Sequence, residues 1–239
     1  MTKIGPLFPF YGSKYRLAKY YPLPIYDTII EPFAGSAAYS QHYPDLEVFL
    51  YEIDPVVYST LNYLIVVTKE EINSLRTDID HVDELINGSQ DQRWMVGRWL
   101  NPAASGNPRK ARSTWGKSVS GSRSIAYWGG SCRQRISNSL PAIRHWKVFN
   151  KPYQEIENQE ATWFIDPPYI EKGKYYKFGS KLIDYKELAE WCKSRKGQVI
   201  VCENEGADWL DFKPFRDGYT QKTNGTKSKE VVWYRENDR

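Results

Sequence analysis

The stretch that most limits how this chain can fold is Thr162-Trp163-Phe164-Ile165-Asp166-Pro167-Pro168-Tyr169. Its first four residues read as a buried strand, and an acid followed by two prolines stops that strand abruptly. Proline has no backbone N–H to give a neighbouring strand, so the ladder cannot run on through Pro167 and Pro168. An acid and a tyrosine are thereby held stiffly at the carboxyl end of a strand, where open α/β sheets bind their ligands. Taken alone, the same residues also describe a plain strand running into a proline-stiffened loop. The remainder of the chain decides between the two.

Several other segments read as parts of one α/β sheet. Asp27 to Ile30 is a short strand, and Glu31-Pro32-Phe33-Ala34-Gly35-Ser36-Ala37-Ala38-Tyr39-Ser40 follows it. A strand running into small residues and then a helix lets a nucleotide-like ligand approach the backbone closely. It is not the full G-x-G-x-x-G pattern and is weak as a lone motif. Glu47 to Ile53 is a second strand ending in acids, with Asp54 as N-cap and Pro55 at the first helical position. Val57, Leu61, Leu64 and Ile65 then recur at helical steps. Glu52 lies roughly 20 residues beyond the first glycine-bearing turn, where an acid can accept hydrogen bonds from two ribose hydroxyls. A surface acid at a strand end is the plainer alternative.

Residues 69–92 read as a polar helical passage, Ser124 to Ile143 as a helix, and Asp184 to Lys193 as another. Gln198 to Glu203 is a buried strand. The chain closes on strand-like Asp217 to Thr223, the turn Asn224-Gly225, and Lys229 to Tyr234. Asn-Gly between such runs is the strongest short hairpin signal. An α/β sheet finishing in a hairpin has an antiparallel edge strand, which a purely parallel dinucleotide-binding sheet lacks.

Charge is unevenly spread. The net charge is +4, yet Arg93 to Lys147 holds eleven Lys and Arg and no Asp or Glu, so the remainder carries 4 − 11 = −7. Such a stretch is the electrostatic footprint of a polyanion partner, nucleic acid above all. Its middle, Asn101 to Gly121, mixes Ser, Gly, Asn and Pro with the cations and carries Trp115. Residues 72–147 read as an insert between two halves of one sheet, residues 1–71 and 148–239. The later loop Glu171 to Phe178 is basic and aromatic, suited to closing over a base. No run of about 18 apolar residues is present, so no membrane span is expected, and the amino terminus lacks a secretory h-region. Cys132, Cys192 and Cys202 are odd in number and widely spaced, as are His42, His81 and His145. That points to a reducing compartment, the cytoplasm, and away from disulfides or a metal centre.

Together these pieces resemble the Dam-like group of adenine-N6 DNA methyltransferases. The residues that carry the resemblance are the Phe10-Tyr11-Gly12-Ser13-Lys14 turn, Glu31-Pro32-Phe33-Ala34-Gly35, the acid at Glu52, and Asp166-Pro167-Pro168-Tyr169, in that group's order around a basic insert. The resemblance covers about residues 1–68 and 148–239, and the insert only by position and charge. It implies a Rossmann-like methyltransferase fold: a seven-stranded mixed sheet with a reversed last strand, plus a small inserted DNA-recognition subdomain. It implies S-adenosylmethionine as cofactor, contacted by Phe10, Tyr11, Lys14, Glu31, Phe33, Ala34, Gly35, Glu52, Ile53 and Asp166. Catalysis would fall to Asp166, Pro167, Pro168 and Tyr169, with Tyr169 stacking on a flipped adenine. Double-stranded DNA would meet Arg109, Lys110, Arg112, Lys117, Arg123, Arg133 and Tyr175, in a prokaryotic or phage-infected cell.

The chain also departs from the group. The family's glycine two places after Gly35 is Ala37, and its Trp and second Gly in the first motif are Phe10 and Ser13. The insert carries none of the recognition residues of the best-known GATC methylases, so the resemblance names no target sequence and no restriction partner. Cytosine-N4 methylation uses the same geometry, but those enzymes more often place Ser before the two prolines. An RNA substrate, or an idle DNA-binding module on the same scaffold, completes the alternatives.

Overall fold

The structure, a computed structural model, describes residues 4–102, 107–118, 126–171, 173, 177–218 and 228–236. Seven strands form one sheet: β1 (Thr28–Glu31), β2 (Glu47–Tyr51), β3 (Lys147–Phe149), β4 (Ala161–Ile165), β5 (Gly197–Asn204), β6 (Lys213–Gly218) and β7 (Ser228–Arg235). Their order is β3-β2-β1-β4-β5-β7-β6. The first five in that order are parallel, and β7 runs antiparallel to both of its neighbours. This is the seven-stranded, mixed, Rossmann-like sheet with a reversed last strand. The reversed strand is not the edge, however. β7 slots between β5 and β6, so β6 takes the edge, and the Asn224-Gly225 turn lies outside the described residues.

Each strand's alternation feeds two apolar layers. Ile29, Leu50, Phe164 and Ile200 face one core, and Ile30, Trp163, Ile165, Val199 and Val201 face the other. Every residue of β4 is buried, as its unbroken apolar run requires between two covered faces. The Trp163 indole N–H reaches the Lys196 carbonyl at 2.8 Å, so its burial leaves no orphan donor.

The described residues form six α-helices: α1 (Pro55–Val66), α2 (Lys69–Ser74), α3 (Gln90–Leu100), α4 (Thr114–Ser118), α5 (Gly130–Ile143) and α6 (Tyr185–Ser194). The Asp54 carboxylate accepts from the Val56 N–H, and Asp184 accepts from Lys186 and Glu187, so both acids cap their helices. The polar passage 69–92 is broken rather than continuous: α2 ends at Ser74, and α3 starts afresh from a Ser89–Gln92 capping box. The helix expected over Ser124 to Ile143 begins only at Gly130. Within 72–147, Met95, Trp99, Trp128, Ile136 and Leu140 share one apolar cluster with Leu61 and Leu64 of α1.

The helix expected after Gly35 does not form. Gly35 and Ala37 adopt positive φ (49° and 55°), which breaks the right-handed α conformation twice, and only a 3₁₀ turn, Ser40–His42, follows. Ala37 therefore holds a left-handed backbone that a glycine would adopt without strain.

Candidate active site

Because β1, β2 and β4 are parallel, their carboxyl ends share one edge of the sheet. Strand order reverses between β1 and β4, the switch point at which open α/β sheets form a crevice. A cavity of about 420 Å³ opens there, within the size of small-molecule sites. All ten residues expected to meet a cofactor line it: Phe10, Tyr11, Lys14, Glu31, Phe33, Ala34, Gly35, Glu52, Ile53 and Asp166. Pro168 lines it as well, with Phe178 from the loop expected to close over a base.

Three acids stand at three strand ends. Glu31, the last residue of β1, is 2% exposed and accepts from the Ser40 N–H at 2.8 Å and its hydroxyl at 2.6 Å. Burial pushes its pKa up to about 8, against the pull of those two bonds. Glu52, just past β2, accepts from the Asp54 N–H at 2.9 Å and the Gly35 N–H at 3.0 Å. Burial raises it to about 7. Glu52 thus ties the glycine turn to the end of the second strand, and each of its oxygens keeps a further lone pair.

Asp166 follows β4. Burial raises its pKa to about 6, opposed by the Lys14 ammonium and reinforced by Glu230. Lys14 lies 3.2 Å from the Asp166 carboxylate and 3.4 Å from that of Glu230 on β7. The Glu230 carboxylate also accepts from the Tyr21 hydroxyl at 3.1 Å and from the Tyr169 hydroxyl. Tyr169 departs here from the role expected of it. Its side chain points inward, 9% exposed, with Lys14 Nζ 4.4 Å from the ring centroid. A buried carboxylate on β7 needs donors, and the Tyr169 hydroxyl supplies one, so the ring face is occupied by the chain's own lysine. The loop is pinned on both sides of that residue: Tyr185 donates to the Pro168 carbonyl, and the Ile170 N–H donates to Glu203 at 3.0 Å.

Two further residues support the cavity without having been expected there. Arg98, in α3, is 4% exposed and lies over the rings of Phe8 (4.6 Å) and Phe10 (5.8 Å). Burial lowers its pKa to about 10, while the fields of Asp54 and Glu52 keep it charged. Phe10 in turn covers Gly35, where a Cβ would meet the ring at 3.0 Å. A single Arg within a basic helix carries no sequence signal for this placement. Glu230 carries little more: it is a lone acid at the start of an apolar strand.

The basic stretch divides in two. Arg112 pairs with Asp80 at 2.9 Å and donates to the Ile79 (3.1 Å) and Trp128 (2.9 Å) carbonyls, and Arg133 donates to the Leu75 carbonyl at 2.7 Å. Arg144 caps the end of α1 through the Ile65 and Val67 carbonyls. These cations tie elements together, Arg112 and Arg133 of the set expected to meet DNA among them. Arg109, Lys110 and Trp115 are exposed, and Lys117 is exposed but pairs with Asp80 at 3.2 Å. Arg123 and Tyr175 lie outside the described residues. Cys132, Cys192 and Cys202 are buried free thiols, and among the described residues no helix is long and apolar enough to cross a membrane.

No family model and no curated protein matches the chain. Among solved structures it is similar to a conserved hypothetical protein of Streptococcus pyogenes, 9% identical, over 87% of this chain and 86% of that one, with a TM-score of 0.37. It is also similar to the protein provisionally named methyltransferase yhhF of Escherichia coli, 10% identical, over 88% of this chain and 76% of that one, again with a TM-score of 0.37. At that degree of overlap neither structure bears on what this chain does.

Proposed function

We propose that the protein transfers the methyl group of S-adenosylmethionine to the exocyclic amine of an adenine flipped out of double-stranded DNA. The observation that carries this reading is the placement of Asp166, Gly35 and Glu52 on one cavity at the switch point of the sheet. The residues present suit that cofactor. Gly35, lacking a Cβ, lets the Phe10 ring close over the turn at the cavity; Glu52 has lone pairs left for ribose hydroxyls; and Asp166, the most readily ionised of the three acids, offers a negative charge to a cationic ligand. When bound, the cofactor supplies a methyl group on a positively charged sulfur.

What the chain must do is make the amine nucleophilic, because its lone pair is delocalised into the adenine ring. The Asp166 carboxylate and the Pro167 carbonyl can each accept one amine hydrogen. Holding both draws the nitrogen toward a pyramidal geometry and aims the lone pair at the methyl group. Rigid placement by two prolines supplies the alignment, and the Asp166 carboxylate can take the proton that the amine sheds on methylation. Stacking on the flipped base, worth about 1–3 kcal/mol, is comparable to the few kcal/mol that unstacking costs. With Tyr169 turned inward, Phe178 is, among the described residues of that loop, an aromatic side chain that lines the cavity. Exposed Arg109 and Lys110 supply phosphate contacts.

The test is labelled methyl transfer from S-adenosylmethionine to DNA, with adenine and cytosine resolved after digestion. Label is expected in N6-methyladenine. Asp166→Ala should abolish transfer while leaving DNA binding largely intact, and turnover retained in that variant would sink the assignment. Label in cytosine, or in RNA alone, would replace the substrate and keep the reaction.

A further inference from the structure

Lys14 sits between two carboxylates, and only one of them faces the cavity. The Asp166 side chain is 21% exposed, and that of Glu230 is 4%. Glu230 stands on the reversed strand β7, opposite Asn204 of β5 and Arg216 of β6, and does not line the cavity. Yet it accepts from Tyr21, Tyr169 and Lys14 at once. We propose that Glu230 is a positioning residue for Asp166: anchored by the two tyrosines, it holds the Lys14 ammonium against Asp166 and sets the field that acid feels.

The physical argument starts from what surrounds Asp166. Lys14 comes from the first turn, Tyr21 from the segment after it, Glu31 from β1, Tyr169 from the catalytic loop, Cys202 and Glu203 from β5, and Glu230 from β7. Burial keeps Tyr21, Tyr169 and Cys202 protonated, and Glu31 is raised to about 8. Glu203 is also raised by burial, and its carboxylate is turned to the Ile170 and Asn204 N–H groups. That leaves Lys14 and Glu230 as the charges at ion-pairing range, the oxygens of Asp166 and Glu230 lying within 4.8 Å of each other. A buried ammonium between two acids is shared. Removing one acid gives its full attraction to the other and also removes a like charge, and both changes favour ionised Asp166. The sign is therefore fixed: Glu230 holds the Asp166 midpoint up.

The role in catalysis rests on the methyl-transfer reading of Asp166, so two readouts are taken on the full chain. One is a carboxyl ¹³C NMR titration of Asp166, its signal assigned by loss in Asp166→Asn. The other is the single-turnover transfer rate against pH. In Glu230→Gln the NMR midpoint and the acid limb of the rate should both move to lower pH, by about one pH unit. A purely structural Glu230 would lower the melting temperature and leave the midpoint in place, and that result overturns the proposal. Should Glu230→Gln not fold, Lys14→Met is compared with Lys14→Met/Glu230→Gln. The midpoint should drop from the first to the second, and no drop overturns the proposal equally. If the midpoint moves while the wild type transfers no methyl group, the coupling stands and the function reading falls. If transfer is intact and the midpoint is fixed, the reverse holds.

Discussion

At Gly35 the backbone holds φ +49°, and the Phe10 ring lies 3.0 Å from where a Cβ would be. Gly35→Ala therefore meets two costs, about 1–2 kcal/mol of left-handed backbone and a displaced aromatic ring. The melting temperature should fall by roughly 2–8 °C for a chain of this size. S-adenosylmethionine affinity, read by calorimetry, should weaken by about tenfold for each 1.4 kcal/mol lost at the site. An unchanged affinity would mean that the glycine turn does not approach the ligand. At this scale the sequence was informative where chemistry sits at a chain landmark. Gly35, Glu52 and Asp166 each follow a readable strand, and the two prolines mark the third. Glu230 was not legible, because its partners Tyr21 and Tyr169 lie 209 and 61 residues away. Only the antiparallel insertion of β7 beside β5 brings them together. The inward turn of Tyr169 was hidden for the same reason.

Among the elements, helix starts were in part legible and charge pairing was not. Asp54 announces its helix, because its capping bond spans only two residues, and the helix from Asp184 is readable from its start, while the Ser89 cap does not stand out inside the 69–92 passage. The acid-free window from Arg93 onward looked unpaired because its counter-charges, Asp80 and Asp83, stand just before it and fold back. Arg112 shows the consequence. Its guanidinium, 12% exposed, bonds Asp80 and two carbonyls, joining the loop before α3 to the residues before α5. Arg112→Met removes charged hydrogen bonds worth roughly 1.5–3 kcal/mol each and leaves two carbonyls without that donor. Urea titration should show a stability loss of at least about 2 kcal/mol. Arg109→Gln, on an exposed side chain, should fall within about 0.5 kcal/mol of the wild type. Equal losses in the two variants would remove the distinction between cations that tie elements and cations that face solvent.

Across the whole molecule, the sheet places the acids at one edge, while many of the cations among the described residues are spent within the protein. Arg98 stands under Phe10, Arg144 ends α1, and Arg133 joins α5 to the end of α2. The charge left to meet a polyanion is thus smaller than a count of eleven implies, and a salt titration measures the difference. Each phosphate contact contributes about 0.9 to the slope of log affinity against log salt on duplex DNA. Arg109 and Lys110 are exposed on the same loop as the short helix α4, which carries exposed Trp115. Neutralising both should lower the slope by up to about 2 and weaken binding uniformly across sequences. Adding Lys117 should change it less than either, because its ammonium already pairs with Asp80. Arg133, whose guanidinium donates to the Leu75 carbonyl, should change stability without changing the slope. A slope unmoved by the Arg109/Lys110 pair would take the DNA off this face altogether. The proposed methyl-transfer site would then require a different surface to bring an adenine in.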